Sequence, residues 1–162
     1  MSQPVHVVGV GMIPFTKPGA SEAYNVMGAQ ATQKALDDAG IDYNLVQQAY
    51  VGYVFGDSTA GQAALYGVGM TGIPVINVNN NCATGSTALF LARQAVASGA
   101  ADCVLALGFE QMVPGALKGT YTDRPSPLGR FIDTLTEDQG WEPTAPRAAQ
   151  FFGGAARDYI NQ

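Results

Sequence analysis

The segment from Ile76 to Leu89 constrains this chain more than any other. An apolar run that is typical of a strand leads into three asparagines and Cys82, and small residues then continue with helical spacing. A cysteine at this point lies between the end of a strand and the start of a helix. The unpaired backbone N–H groups and the positive end of the helix dipole favour a thiolate there. The pattern therefore predicts that Cys82 is a reactive sulfur nucleophile.

Composition predicts a globular chain. Of its 162 residues, 47% are hydrophobic and only 13% are charged, which is enough to fill a sizeable core in one large domain. So few charges also suggest that part of the surface is buried against another chain or domain. The net charge is −5 and the eight basic residues are scattered, so the chain lacks the charge pattern of a protein that binds nucleic acid or anionic membranes.

Cysteine usage and hydropathy favour a reducing compartment. Two cysteines, Cys82 and Cys103, do not make a disulfide framework in a chain of this size. We see no secretory signal and no stretch of about 18 apolar residues that would span a membrane. We therefore expect the cytosol or an organelle matrix.

Apolar runs alternate with segments of helical periodicity over the first two thirds of the chain. The predicted strands are 5–10, 49–55, 75–79 and 102–109, and the predicted helices are 21–40, 61–70 and 82–98. Gly40 is expected to end the first helix, which Ser21 is placed to cap. This alternation predicts parallel strands joined by right-handed crossovers, in a layered α/β core. Since the strands are apolar throughout, both faces of the sheet should be covered by helices.

The pattern changes after Met112. Residues 113–146 are rich in proline and glycine and weakly periodic, which predicts a long lid, binding loop or linker. Pro146 then precedes a predicted helix over 147–160. We therefore divide the chain into an α/β core, residues 1–112, and a partial loop or lid region with a terminal helix, residues 113–162.

The helix after Cys82 is apolar around almost its whole circumference, which predicts burial inside a larger structure. Gly85 within it costs up to ~1 kcal/mol relative to alanine. That cost is tolerable where another backbone or a substrate must approach closely.

The block from Asn79 to Leu89, followed by Ala92-Arg93-Gln94 and by 103–110, resembles the N-terminal half of a thiolase. Within that superfamily it is most similar to the thiolases of the sterol carrier protein x type. The similarity extends from residues 5–12 through 53–59 to about Met112 and is looser beyond.

The resemblance implies a layered thiolase-like α/β fold, with a mostly parallel sheet covered by helices. It implies an acyltransferase that splits 3-oxoacyl-CoA into acetyl-CoA and a shortened acyl-CoA, or catalyses the reverse condensation. Cys82 would carry the acyl group, and its own backbone N–H would form half of an oxyanion hole. Coenzyme A would be a substrate, with no bound cofactor. The resemblance implies that the pocket is shaped by Asn79, Asn80, Asn81 and Gly85. It implies that the CoA phosphates are contacted by Lys118, Arg124 and Arg130.

The chain also departs from the family's pattern. Thiolases use histidines and a second cysteine from motifs of their C-terminal half, and the single histidine here is His6, in the first predicted strand. We therefore expect a complementing C-terminal half or a homo-oligomer, with strand 75–79 as the candidate edge for association. The expected location is the cytoplasm, or the peroxisomal matrix in a eukaryote.

Two other functions stay open. The chain could be a catalytically incomplete scaffold or a lipid- or acyl-CoA-binding subunit. It could also be a thiolase-like carbon–carbon lyase, although the intact block around Cys82 argues against that.

Other residues have simpler interpretations. Cys103 and His6 are expected to be ordinary core and strand residues, and Glu110 and Gln111 either line the site or cap a strand. The stretch from Gly9 to Pro14 lacks the third glycine of a dinucleotide loop, and no phosphate loop or metal-ligand cluster is present.

Overall fold

The computed structural model describes residues 4–115, 121 and 123–162. Its helices and strands follow the order α1 (Tyr24–Ala39), β1 (Gln48–Gly52), α2 (Ala60–Tyr66), β2 (Val75–Val78), α3 (Thr84–Ala97), β3 (Val104–Gly108), α4 (Gly129–Gln139) and α5 (Arg147–Asn161). A single 3₁₀ turn, Tyr43–Leu45, precedes β1. The chain divides into an N-terminal unit, Met1–Val113, and a C-terminal unit, Pro114–Gln162.

The N-terminal unit is built on a parallel three-stranded sheet in the order β2-β1-β3. Tyr50 in β1 pairs with Ile76 in β2 and with Ala106 in β3. The predicted parallel α/β architecture is therefore confirmed. Strand β2 lies at an edge of this sheet, where strand 75–79 was predicted.

Helices cover both faces of the sheet. Ala49 and Val51 of β1 are fully buried on the face that packs against α1 and α2, together with Leu65 and Leu107. Gly52, the residue after Val51 in the same strand, faces the opposite side of the sheet and lies against α3. Helix α3 buries its small side chains, Ala88, Ala92 and Ala95, whereas Leu89 and Phe90 on the same helix are 56% and 55% exposed. The helix thus has a second apolar face that the N-terminal unit leaves open.

The prediction of a buried strand over residues 5–10 is wrong. The segment forms no ladder, and Val7, Val8 and Val10 are largely exposed. It lies along α1 instead. Gly9 and Gly11 pass against the helix backbone at positions 31 to 39, and the N–H of Val10 donates to Oδ2 of Asp38 at 2.8 Å. Apolar β-branched residues indicate extended backbone but do not specify a neighbouring strand.

Strand β1 ends three residues earlier than predicted, at Gly52. The N–H groups of Val54 and Phe55 donate to the carboxylate of Glu110 rather than to a neighbouring strand. A side chain that is distant in sequence has therefore replaced the ladder at this point.

The start of α1 also differs from the prediction. Ala23 is at the N-cap, so Ser21 does not cap this helix. Gly40 ends the helix in the left-handed conformation, at φ 66°, as predicted.

The C-terminal unit contains one more helix than predicted. The predicted helix over 147–160 is present as α5, whereas α4 lies in the stretch predicted to be loop. Gly154 of α5 packs against Leu135 and Gln139 of α4, and Phe151 contacts the rings of Phe131 and Trp141. Packing of an amphipathic face onto α5 stabilises a segment whose flanking prolines and glycines obscured its periodicity.

Among the residues that the structure describes, no helix is both long enough and apolar enough to cross a membrane.

Candidate active site

Cys82 lies in the short connection between β2 and α3, with its side chain exposed. Two overlapping turns contain it. The C=O of Asn80 accepts the N–H of Ala83, and the C=O of Asn81 accepts the N–H of Thr84, both at 3.1 Å. Cys82 is a central residue of both turns. The thiol therefore lies two residues before the first turn of α3, on backbone held by hydrogen bonds.

The first turn depends on an asparagine in an uncommon conformation. Asn81 has φ 49°, in the left-handed region that asparagine tolerates better than most other side chains. Its side-chain oxygen lies 3.9 Å from the sulfur of Cys82 and accepts a weak S–H hydrogen bond. Asn81 thus both reverses the chain before the cysteine and contacts the thiol.

The other two asparagines bind the loop. Oδ1 of Asn79 accepts the N–H of Asn81 at 3.3 Å. Nδ2 of Asn80 donates to Oγ1 of Thr87 at 2.9 Å, and that hydroxyl donates in turn to the C=O of Ala83 at 2.9 Å. The asparagine side chains therefore tie the loop to itself and to the first turns of α3.

Thr84 is a residue of this site that the sequence analysis missed. Its side chain is buried, with 4% of the residue exposed, and its hydroxyl binds the backbone on both sides of Asn80-Asn81. Threonine at the start of a helix commonly makes such local bonds. Its position two residues after the cysteine was the available signal.

Glycines allow α3 to approach the sheet. The backbone of Gly52 lies directly against Thr84, and a Cβ on Gly108 would be 3.5 Å from Cα of Gly85. Gly52 and Gly108 are register partners on β1 and β3. The start of α3, and with it Cys82, is therefore supported by the carboxyl ends of these two strands. Gly85 itself is exposed, and nothing lies within 4 Å of where its Cβ would be.

Residues just after β3 hold the neighbouring loops. Oε2 and Oε1 of Glu110 accept the N–H groups of Val54 and Phe55 at 3.0 and 2.8 Å. Oε1 of Gln111 accepts the N–H of Tyr24 at 2.9 Å and so binds the first turn of α1. The ring of Phe109 stacks between those of Tyr24 and Tyr53. Glu110 and Gln111 therefore bind backbone of other elements, a role that the sequence analysis did not consider.

Cys103 and His6 do not belong to the loop that holds Cys82. Both cysteines are free, and burial raises the pKa of the half-buried Cys103 thiol. His6 is exposed, in the segment that runs along α1.

The residues predicted to contact CoA phosphates belong to the C-terminal unit. Arg124 makes a two-bond ion pair with Asp123, at 2.9 Å for each bond, and its guanidinium lies 4.2 Å from the centre of the Tyr121 ring. This pairing lowers the pKa of the Asp123 carboxyl. Arg130 is exposed on α4, and Lys118 lies outside the described residues. The CoA contacts stay a prediction.

Comparison with known proteins agrees with this architecture. The family model described as "Thiolase, N-terminal domain" matches residues 5–124. Sterol carrier protein 2 of Bos taurus is 52% identical over 160 residues, covering 98% of this chain and 29% of that protein. Sterol carrier protein 2 of Homo sapiens is 54% identical over 161 residues, with 98% and 29% covered. The chain thus spans less than a third of the length of these relatives.

A solved structure gives the same fold at low sequence identity. The 3-oxoacyl-[acyl-carrier-protein] synthase III from Aquifex aeolicus superposes with a TM-score of 0.51 at 22% identity, over 59% of this chain and 32% of that one. This likeness concerns the fold alone. The family model and the two curated relatives, by contrast, establish descent, and the chain belongs to the thiolase family through its N-terminal domain.

Proposed function

We propose that this chain carries the nucleophile of a thiolase-type acyltransferase of lipid metabolism, which cleaves 3-oxoacyl-CoA or forms it by the reverse condensation. The observation that carries the proposal is the placement of Cys82 in a thiolase N-terminal domain. Its exposed sulfur is held by two overlapping turns at the positive end of α3.

The reaction would be covalent. The Cys82 thiolate attacks the 3-oxo carbon, and the bond between C2 and C3 of the substrate breaks. The electron pair of that bond goes to C2, which takes a proton and leaves as acetyl-CoA. The thiolate of free CoA then attacks the acyl-cysteine thioester and releases the shortened acyl-CoA and the Cys82 thiolate. The backbone N–H of Cys82 would help to stabilise the oxyanion that forms in these attacks.

The pocket around the sulfur would be formed by Asn79, Asn80, Asn81 and Gly85. Each lies in the loop or the first turn of α3 next to Cys82. Lys118, Arg124 and Arg130 would supply positive charge for the phosphates of CoA. Coenzyme A takes part as a substrate, and the mechanism needs no bound cofactor.

Acid–base groups would have to come from elsewhere. The chain has one histidine, His6, whereas proton transfer to C2 needs a titratable partner. We propose that a complementing C-terminal thiolase half, or a second copy of the chain, completes the site. The exposed Leu89 and Phe90 of α3 and the edge strand β2 offer surfaces for such an association. The proposed location is the cytoplasm, or the peroxisomal matrix in a eukaryote.

The single histidine of this sequence also keeps a second candidate function open. A thiolase domain without its base could bind acyl-CoA or lipid, or act as a scaffold, without turning substrate over. The two candidates differ in whether an acyl group becomes bonded to Cys82.

Intact-mass spectrometry after incubation with acetyl-CoA tests the difference. We expect one acetyl group on the chain, absent in Cys82→Ser, retained in Cys103→Ser and removed by added CoA. Transfer of the acetyl group from one thioester to another breaks no carbon–carbon bond. The experiment therefore tests the nucleophile without the group that protonates C2. Binding of acetyl-CoA without acylation at any pH from 6 to 9 would favour the scaffold.

A further inference from the structure

The hydroxyl of Thr84 forms hydrogen bonds with the backbone of both Asn80 and Asn81, the two residues before the cysteine. Oγ1 accepts the N–H of Asn80 at 2.9 Å and donates to the C=O of Asn81. The residue is 4% exposed, so water does not readily replace either bond. The hydroxyl therefore closes the loop from Asn80 to Thr84, with Cys82 inside it.

The methyl group of the same side chain has a separate contact. Cγ2 of Thr84 packs against Gly52 on β1, which places the start of α3 on the sheet. One side chain thus anchors the helix through its methyl group and holds the cysteine loop through its hydroxyl. Substitutions can separate these two roles, because valine keeps the methyl group and serine keeps the hydroxyl.

We propose that Thr84 is a positioning residue for Cys82, and this inference rests on the proposed function of Cys82 as the nucleophile. Without the hydroxyl, the N–H of Asn80 loses its acceptor, and the C=O of Asn81 keeps only the N–H of Thr84. The left-handed conformation of Asn81 then loses both bonds from the Thr84 hydroxyl, one to the N–H of Asn80 and one to the C=O of Asn81. Cys82 then loses its fixed place two residues before the start of α3.

Amide hydrogen exchange measures the loop independently of any chemistry at the sulfur. We expect the N–H of Asn80 to exchange slowly in the wild-type chain and in Thr84→Ser. In Thr84→Val it should exchange about tenfold faster, the change that loss of one hydrogen bond typically brings.

Alkylation by iodoacetamide at pH 7 then measures the consequence for the nucleophile. In Thr84→Val we expect the rate at Cys82 to fall about two- to fivefold, the factor that corresponds to losing an interaction with a helix terminus. Thr84→Ser should restore the wild-type rate. Cys103, which is half-buried in the same unit, serves as the internal reference, and its rate should stay unchanged.

Each other outcome overturns the inference. Equal Cys82 rates in Thr84→Val and wild type would show that the hydroxyl is not needed, and a Thr84→Ser variant as slow as Thr84→Val would assign the effect to the methyl group. Faster reaction of Cys103 in Thr84→Val would indicate general loosening of the unit instead of positioning. A wild-type Cys82 that reacts no faster than free cysteine would overturn the proposed function itself, and the exchange rate at Asn80 would still report whether Thr84 holds the loop.

Discussion

Gly52 of β1 and Thr84 of α3 are in contact so close that no side chain fits between them. A Cβ on Gly52 would lie 2.6 Å from both Cγ2 and the carbonyl oxygen of Thr84. The absence of a side chain on the central strand therefore sets the distance between the sheet and the helix that follows Cys82. The position of the sulfur depends on this contact through the loop that Thr84 holds.

Substitution Gly52→Ala should destabilise the chain by ~1–3 kcal/mol, the usual range for overpacking. The atoms in the way include helix backbone, which cannot rotate aside. Gly108→Ala is the matched control, because Gly108 is the register partner of Gly52 and its Cβ would meet neighbours only at 3.5 Å or more. Urea denaturation of both variants measures the difference. Equal losses would contradict the close approach at Gly52.

Substitution Gly85→Ala should have opposite effects on stability and acyl transfer. No atom lies within 4 Å of the added Cβ, so the variant should gain up to ~1 kcal/mol from helix propensity. If Gly85 shapes the acyl pocket, acylation of Cys82 should slow, and more for a long acyl-CoA than for acetyl-CoA. Melting temperature and intact mass report the two effects. A variant that is acylated at the wild-type rate with every chain length would remove Gly85 from the pocket.

Burial of Cys103 should make stability fall at alkaline pH. Because burial raises the pKa of this thiol, the unfolded chain loses the proton at a lower pH than the folded chain does. Stability is therefore fully present below the ordinary thiol pKa of about 8.5 and declines as pH rises through the folded value. Melting temperatures from pH 7 to 9.5, in a Cys82→Ser background, should decline less steeply when Cys103→Ala is added. Parallel curves would contradict the raised pKa.

Two adjacent glycines of α5 should respond differently to alanine. Gly153 has open space at its Cβ position, whereas a Cβ on Gly154 would lie 2.8 Å from Leu135 and 2.9 Å from Gln139. Both variants gain helix propensity, but Gly154→Ala displaces Gln139, which donates to the C=O of Gly154 at 3.2 Å. We expect Gly154→Ala to be less stable than Gly153→Ala by ~0.5–1.5 kcal/mol. Thermal unfolding followed by circular dichroism compares them, and equal stability would argue against this packing of α4 on α5.

Long-range side-chain bonds account for several differences between prediction and structure. Glu110 ends β1 by accepting two N–H groups from a loop more than fifty residues earlier, and Gln111 binds the start of α1 from 87 residues away. Periodicity within a window of ten residues carries no information on such partners. The same limit explains residues 5–10, whose apolar character predicted a strand although only the fold determines whether a paired neighbour exists.

Local chemistry, by contrast, was sufficient for much of the chain. The order of strands and helices from Gln48 to Gly108, the left-handed end of α1 at Gly40 and the place of Cys82 before α3 all follow from residues close in sequence. Each depends on spacing, on glycine or on the change from strand to helix period, which act over a few residues. The bonds of the Thr84 hydroxyl to Asn80 and Asn81 are also local, since they join residues three and four positions apart. The tertiary structure alone decided that Thr84 is buried and that Gly52 of the neighbouring strand β1 supports it, because only the packing of α3 onto the sheet brings these two residues together.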